Sequence, residues 1–244
     1  MTLEQNLLPG KLAERTRRLT SPDRRVALHW CRLDDDEPLA GALAGWLSSA
    51  EHARAARFGR DALRRRYVIG RAMLRAVLGG HLGLAPGDVP ITRGRRGRPT
   101  LGTAGGPDFN VSHTGGVLLA AVGDGVTVGV DVERNGRTIP TAGLARRCLS
   151  EAEREDLAPL DAEQARRRVL RLWTCKEAMS KATGDAMSAR FARLDVLTEP
   201  ALRLRAGPPP YEPARWALHA LAAPDDHIAT LALWDGRPGD SDEW

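Results

Sequence analysis

Residues Val126-Thr127-Val128-Gly129-Val130-Asp131-Val132-Glu133 alternate with a period of two, the signature of an extended strand with two chemically distinct faces. All four valines fall on one face; Thr127, Gly129, Asp131 and Glu133 fall on the other. Such a strand has to bury its valines while two carboxylates stand side by side on its reverse. Like charges at that spacing repel unless a cation or a donor lies between them. A half-exposed strand with solvated acids satisfies this pattern too, but Gly129 weakens a strand and often marks the close approach of a ligand.

A second segment, Trp173-Thr174-Cys175-Lys176-Glu177-Ala178-Met179-Ser180-Lys181, lies within a long helical pattern. Trp173, Glu177 and Lys181 are spaced by four and line one face, beside a buried stripe marked by Val169, Leu172 and Met179. On an ordinary amphipathic helix a Glu–Lys pair contributes only tenths of a kcal/mol, ~0.2–0.5. Here it uses scarce residues: of 36 Lys and Arg, lysine accounts only for Lys11, Lys176 and Lys181. Lysine supplies a compact point charge with a shiftable pKa, which arginine cannot.

Around these two segments the chain reads as mixed. Residues 1–23 look like a poorly ordered leader, and residues 25–32 like a first strand. Residues 38–58 form a helical stretch re-capped at Ser48-Ser49. The spacing predicts a helix over 61–78 ended by Gly79-Gly80, then a loop over 94–107 holding at most one short strand. Strands follow at 109–113 and 117–122, joined by Thr114-Gly115-Gly116. Beyond the acidic strand, Leu149-Ser150-Glu151 opens a helix much as Leu47-Ser48 does. A long helix over 163–182 stops at Gly184, and strands fall at 194–198, 216–221 and 228–234. Matching features repeat at an offset of about 102 to 105 residues, too long for a solenoid. The expected fold is therefore α+β with two similar, pseudo-duplicated halves, 1–124 and 125–244, meeting near Gly123–Gly125. A ligand cleft is expected at their junction.

Composition narrows the class. With 42% hydrophobic and 27% charged residues the chain has a globular balance. Its longest strongly apolar run, Val117 to Val122, is too short to span a bilayer. No secretory apolar block opens the chain, and Cys31, Cys148 and Cys175 form no metal-ligand pair, so a cytoplasmic protein without a membrane partner is expected. The net charge of +5 and a pI near 9.6 favour an anionic partner without choosing among nucleic acid, phosphorylated small molecule and acidic protein.

Asp131, Glu133 and Glu177 with an ammonium nearby suit a hard, oxygen-bound ion. Mg²⁺ is typically held by one or two carboxylates plus substrate phosphate oxygens, and no His or Cys cluster has zinc spacing. At this point the residues resemble a known family. Gly129-Val130-Asp131-Val132-Glu133 and Trp173-x-x-Lys176-Glu177-Ala178-x-x-Lys181 are similar to the two signatures of 4'-phosphopantetheinyl transferases, at the separation found in the larger, surfactin-synthetase-activating (Sfp) type. Phe109 to Gly116 resembles that type's coenzyme-binding strand and turn. Arg57-Phe58 with Arg66 and Gly70 resembles its N-terminal helix, and Gly97-Arg98-Pro99 its basic loop. The resemblance runs from about Leu47 to Gly184.

That likeness implies an enzyme that moves phosphopantetheine from coenzyme A to a serine of an apo acyl or peptidyl carrier protein, releasing 3',5'-ADP. It implies Asp131, Glu133 and Glu177 as Mg²⁺ ligands, with Asp131, Glu177 and Lys181 catalytic. Lys181 would also meet the phosphate, and Lys176 would steady the site. Ser112 and His113 would contact the 3'-phosphate of coenzyme A, helped by Arg98 and Arg54, while Arg57 and Arg66 touch the nucleotide or pair with nearby acids. Two departures stand out: Glu51 where many relatives carry a base, and one glycine rather than two in Gly184-Asp185-Ala186-Met187. A monomer is expected, since the cleft needs no second chain.

Two other readings compete. Arg93 to Pro99 resembles a minor-groove hook, but it is solitary and no helix-turn-helix or zinc-finger spacing accompanies it, so no nucleic-acid partner is expected. A metal-dependent nuclease or phosphohydrolase could use the same acids and Lys181. It would not require the Phe109 to Gly116 motif or the Gly-Arg-Pro loop.

Overall fold

The computed structural model describes residues 10–102, 105–185, 188–224 and 226–236, without the side chains of residues 11 and 95. The start of the expected leader (1–9), Ala186-Met187 and the acidic tail Asp240 to Trp244 lie outside the described residues.

The first half begins with β1 (Thr16–Leu19) and β2 (Val26–Arg32), followed by α1 (Glu37–Leu43), α2 (Ser49–Ala55) and α3 (Asp61–Leu82). It continues with β3 (Ile91–Arg93), β4 (Pro99–Leu101), β5 (Asp108–Thr114) and β6 (Val117–Gly123). The second half runs β7 (Thr127–Arg134), α4 (Thr141–Cys148), α5 (Glu151–Glu155), α6 (Ala162–Thr183), β8 (Asp195–Leu197), β9 (Arg203–Ala206), β10 (Trp216–Leu221) and β11 (His227–Trp234).

Strand order displays the duplication. β2-β6-β5 in one sheet corresponds to β7-β11-β10 in the other, all antiparallel, and each half adds a two-stranded ribbon, β3-β4 and β8-β9. The short helices repeat as well. Ser48 caps α2 and Ser150 caps α5, and each closes a reciprocal capping box with the glutamate three residues on, Glu51 or Glu153. Each of these buried glutamates then meets a buried cation of the long helix that follows: Arg75 Nε to Glu51 at 2.7 Å, and Lys176 Nζ to Glu153 at 2.5 Å. The α+β fold with two similar halves is thus present in topology and in its buried ion pairs.

The layers run helix, sheet, sheet, helix. α3 covers one face of the first sheet through Ile69, Met73 and Leu74, and α6 covers the second sheet through Leu172, Cys175 and Met179. Between the sheets, Leu28, Trp30 and Leu119 pack on Val126, Val128, Val130 and Val132, so the valine face is wholly internal. This places Gly129, Asp131 and Glu133 on the face that meets α6.

Several expectations change. Residues 10–23 are not leader: a helical turn (Gly10–Ala13) buries Leu12, and β1 pairs with β2 from Thr16↔Cys31 to Leu19↔Leu28. α3 does not stop at Gly79-Gly80 but runs to Leu82 and is capped by Gly83 at φ 67°. Glycine inside a helix costs only about 1 kcal/mol. Its missing side chain serves packing here, because a Cβ at Gly79 would come within 2.6 Å of the Leu84 carbonyl oxygen. The 94–107 segment holds a short 3-10 turn and β4, and β9 joins the predicted strands.

Glu51 faces inward, which accounts for its departure from a basic residue. Burial alone would push its carboxyl up, but the Ser48 amide, Arg71 and Arg75 outweigh burial and hold it below the ordinary glutamate value. A depressed carboxyl contributes stability that is full above the unfolded pKa and lost as pH falls through the folded one. Urea midpoints followed from neutral pH into the acid range are expected to fall more steeply for the wild type than for Glu51→Gln; parallel curves would contradict this.

Candidate active site

The reverse face of β7 and the open face of α6 meet at the junction of the halves. Along the buried stretch from Leu172 to Thr183, Trp173, Glu177 and Lys181 are the only residues not fully buried. The four-residue spacing therefore forms an accessible line on an otherwise covered helix. α6 can come this close because position 129 is glycine: a Cβ there would overlap the Ala178 carbonyl oxygen and lie 2.9 Å from Ala182 N.

Asp131 is 4% exposed, and its Oδ1 accepts from Lys181 Nζ at 2.6 Å and from Ser112 Oγ at 2.8 Å. Its Oδ2 is buried with no hydrogen-bond partner. Glu133 accepts from Thr114 Oγ1 at 3.1 Å and is paired with Arg137. Burial pushes the Glu133 carboxyl up, as does the Asp131 charge. Glu177 is likewise raised, first by burial and then by Asp131 and Glu133, with Lys181 acting in the opposite sense. The three acids feel one another, yet among the described residues no three His, Cys, Asp or Glu side chains close into an ion cage.

The donor set nevertheless fits a hard cation. A buried carboxylate oxygen without a donor carries an unmet desolvation cost, and mutually repelling acids beside it lower the cost of bringing in positive charge. Oxygen ligands of this kind suit Mg²⁺.

The other predicted residues are placed as follows. His113 is exposed near the end of β5, whereas its neighbour Ser112 is buried, as alternation on a strand requires. Arg54 is exposed on α2, its guanidinium 5.7 Å from the Phe58 ring centre, and Arg57 is exposed beside it. Burial pushes the Tyr67 hydroxyl up, opposed by the charges of Arg71, Arg54 and Arg93, so this rim of the first half is basic. Arg66 Nε is buried and unpartnered.

Arg98, expected at the 3'-phosphate, and Lys176, expected to steady the site, are both engaged inside the protein. Arg98 is buried and engaged within the chain: its guanidinium pairs with Asp108 at 2.7 and 2.8 Å and donates to the carbonyls of Val128 and Lys181. It ties the basic loop to the end of α6. Lys176 is fully buried and donates to Glu153 and to the carbonyls of Cys148 and Phe191. It docks α6 onto α5. Burial pushes Glu153 up and Lys176 down, yet the three acceptors hold the ammonium in place. Lys176→Met would strand the Glu153 charge, and an unfolding free energy lower by about 3 kcal/mol is expected in urea titration.

Asp108 lies just outside the Phe109 to Gly116 motif, and Asn110 and Thr114 lie within it without a role of their own assigned from sequence. With Ser112 they alternate along β5, a period-two polar pattern that was visible in the sequence. Asp108 Oδ2, Asn110 Oδ1 and Ser112 Oγ accept from the amides of Val128, Val130 and Val132 at 2.8, 3.2 and 3.4 Å. β5 therefore joins β7 through side chains rather than a main-chain ladder.

A cavity of about 830 Å³ lies elsewhere, lined by Arg167, Arg168, Arg171, His219 and His227 among others. It shares none of the site residues, and its arginines are engaged by Glu163, Glu199 and the Ala229 carbonyl. Among the described residues no helix is long and apolar enough to cross a membrane.

Comparison with known proteins yields concordant matches. Residues 127–232 match the 4'-phosphopantetheinyl transferase superfamily, and residues 37–123 match the family described as 4'-phosphopantetheinyl transferase, N-terminal. The chain is 39% identical over 221 residues to the 4'-phosphopantetheinyl transferase HetI of Nostoc sp., a stretch covering 88% of this chain and 90% of HetI. It is 30% identical over 146 residues to the 4'-phosphopantetheinyl transferase psf-1 of Bacillus pumilus, covering 60% of this chain and 61% of that protein. Against Sfp of Bacillus subtilis the identity is 27% over 124 residues, 50% of this chain and 54% of Sfp.

Proposed function

The chain belongs to the 4'-phosphopantetheinyl transferase superfamily, and from that premise we propose that it moves the phosphopantetheine arm of coenzyme A onto a serine of an apo acyl or peptidyl carrier protein, with Mg²⁺. The observation that carries the chemistry is the orphaned, buried Oδ2 of Asp131 beside two further acids, Glu133 and Glu177, whose carboxyls are pushed up by burial and by the Asp131 charge.

Asp131, Glu133 and Glu177 would hold Mg²⁺, whose chemistry there is to neutralise charge on the diphosphate. The carrier serine oxygen attacks the β-phosphorus of coenzyme A, a new P–O bond forms, and the bond to 3',5'-ADP breaks. Glu177 is the proton acceptor for that serine: it is a carboxylate on the accessible line of α6, partly open to an incoming hydroxyl. Lys181, held against Asp131, supplies positive charge to the departing phosphate. Exposed His113 and Arg54 are assigned to the coenzyme's 3'-phosphate. In this reading residues 1–124 supply the coenzyme-binding part, residues 125–244 the metal site and catalytic helix, and the protein acts as a cytoplasmic monomer.

The test is incubation with coenzyme A, Mg²⁺ and an apo carrier protein, followed by intact mass. A phosphopantetheine adduct supports the reading. Hydrolysis of coenzyme A or nucleic acid without an adduct would replace it with a phosphohydrolase. The positive balance should steer an acidic carrier, so kcat/KM is expected to fall as salt rises from low to physiological ionic strength. A salt-independent rate would remove steering.

A further inference from the structure

Ser112 stands at the centre of the junction, and its hydrogen-bonding capacity is already spent. A hydroxyl has one proton to donate and two lone pairs to accept with. Ser112 donates to Asp131 Oδ1 at 2.8 Å, and accepts from Lys181 Nζ at 2.9 Å and from Val132 N at 3.4 Å. It is 5% exposed. Its neighbour His113 leaves the opposite face of the strand and is open to solvent.

The partners it joins come from three elements. Val132 and Asp131 lie on β7 and Lys181 on α6, while Ser112 belongs to β5 of the other half. Lys181 Nζ uses its three protons on Ser112 Oγ, Asp131 Oδ1 and the Val130 carbonyl at 3.4 Å. One hydroxyl from the first half therefore fixes the lysine against the aspartate of the second.

We propose that the Ser112 hydroxyl is a positioning group, setting the Lys181–Asp131 pair before substrate arrives, and that this hydroxyl does not contact the coenzyme's 3'-phosphate. This rests on the transferase reading above. A hydroxyl whose proton and lone pairs are all committed has nothing to offer a phosphate without releasing the pair it organises. The binding energy of the 3'-phosphate then belongs to other groups, and Ser112 acts on the chemical step.

The test compares wild type, Ser112→Ala and Ser112→Thr with coenzyme A and with 3'-dephospho-coenzyme A, using an apo carrier and Mg²⁺. A positioning role predicts that kcat for Ser112→Ala falls about 10- to 100-fold, the range for losing a residue that orients a site ligand. KM for each coenzyme should stay within about two-fold, the loss should be equal with and without the 3'-phosphate, and Ser112→Thr should recover part of the rate. The idea is overturned if KM for coenzyme A rises while kcat holds and the penalty disappears with the dephospho form. It is equally overturned if Ser112→Ala turns over like wild type. Should Ser112→Ala fail to fold, the same comparison is read on Ser112→Cys, a weaker donor that keeps the volume. A wild-type protein that modifies no carrier removes the transferase reading and this proposal together; normal wild-type transfer with an indifferent variant removes this proposal alone.

Discussion

Asp131→Ala and Glu177→Gln are each expected to lower phosphopantetheine transfer roughly 10³-fold, the scale on which losing one preorganised electrostatic group acts. Asp131 holds Lys181 Nζ and carries the one carboxylate oxygen of the group that is buried and unpartnered. Alanine there would take a ligand from the proposed cation site and free the lysine. Glutamine at 177 keeps size and polarity but can neither take a proton as a carboxylate does nor lend charge to a metal. Both variants are expected to melt close to the wild type. The Lys181 side chain released by Asp131 is 26% exposed and can be taken over by water, and among the described residues Glu177 forms no ion pair whose loss would strand a partner. Intact-mass kinetics at saturating Mg²⁺ with a parallel thermal melt reads both quantities. Near-normal turnover in either variant would show that the acid in question has another role.

Gly129→Ala is the largest expected stability change. A Cβ at this position would strike the carbonyl of Ala178 and crowd the amide of Ala182, both main-chain atoms of α6. Backbone cannot swing aside as a side chain does, so the helix must lift from the sheet. Overpacking of ordinary cores costs about 1–3 kcal/mol, occasionally more. With the whole of α6 displaced, a loss above about 5 kcal/mol is expected, enough to exhaust a marginal stability. Gly136→Ala, where a Cβ would meet nothing within 4 Å, serves as the control. A Gly129→Ala protein that unfolds at the wild-type urea midpoint would show that α6 does not sit as close to β7 as this geometry requires.

Much of this is legible in the sequence alone. The valine and acid alternation on β7 works because a pleated strand separates its faces without reference to the rest of the fold. The serine caps were readable because capping is local, and Ser48 with Glu51 or Ser150 with Glu153 needs only four consecutive residues. What escaped depended on distant partners. Lys176 lies one residue from Glu177, and nothing local says that it turns inward to Glu153. Arg98 sits in a loop rich in arginine, and only the fold brings Asp108 and the end of α6 to it. β1 is not legible in the sequence because Thr16-Arg17-Arg18-Leu19 is polar, as suits an edge strand whose partner cannot be seen in its own sequence.

The side-chain seam between β5 and β7 bears on how the polypeptide could be divided. A fragment ending at 124 would bare Leu28, Trp30 and Leu119, and its counterpart would bare four valines together with three amides that no strand of its own sheet can satisfy. Each piece alone would present a greasy slab beside an open edge, which is the recipe for self-association. The molecule is a duplication in pattern only: neither copy retains the means to stand by itself, and gain of a shared centre came with loss of independence.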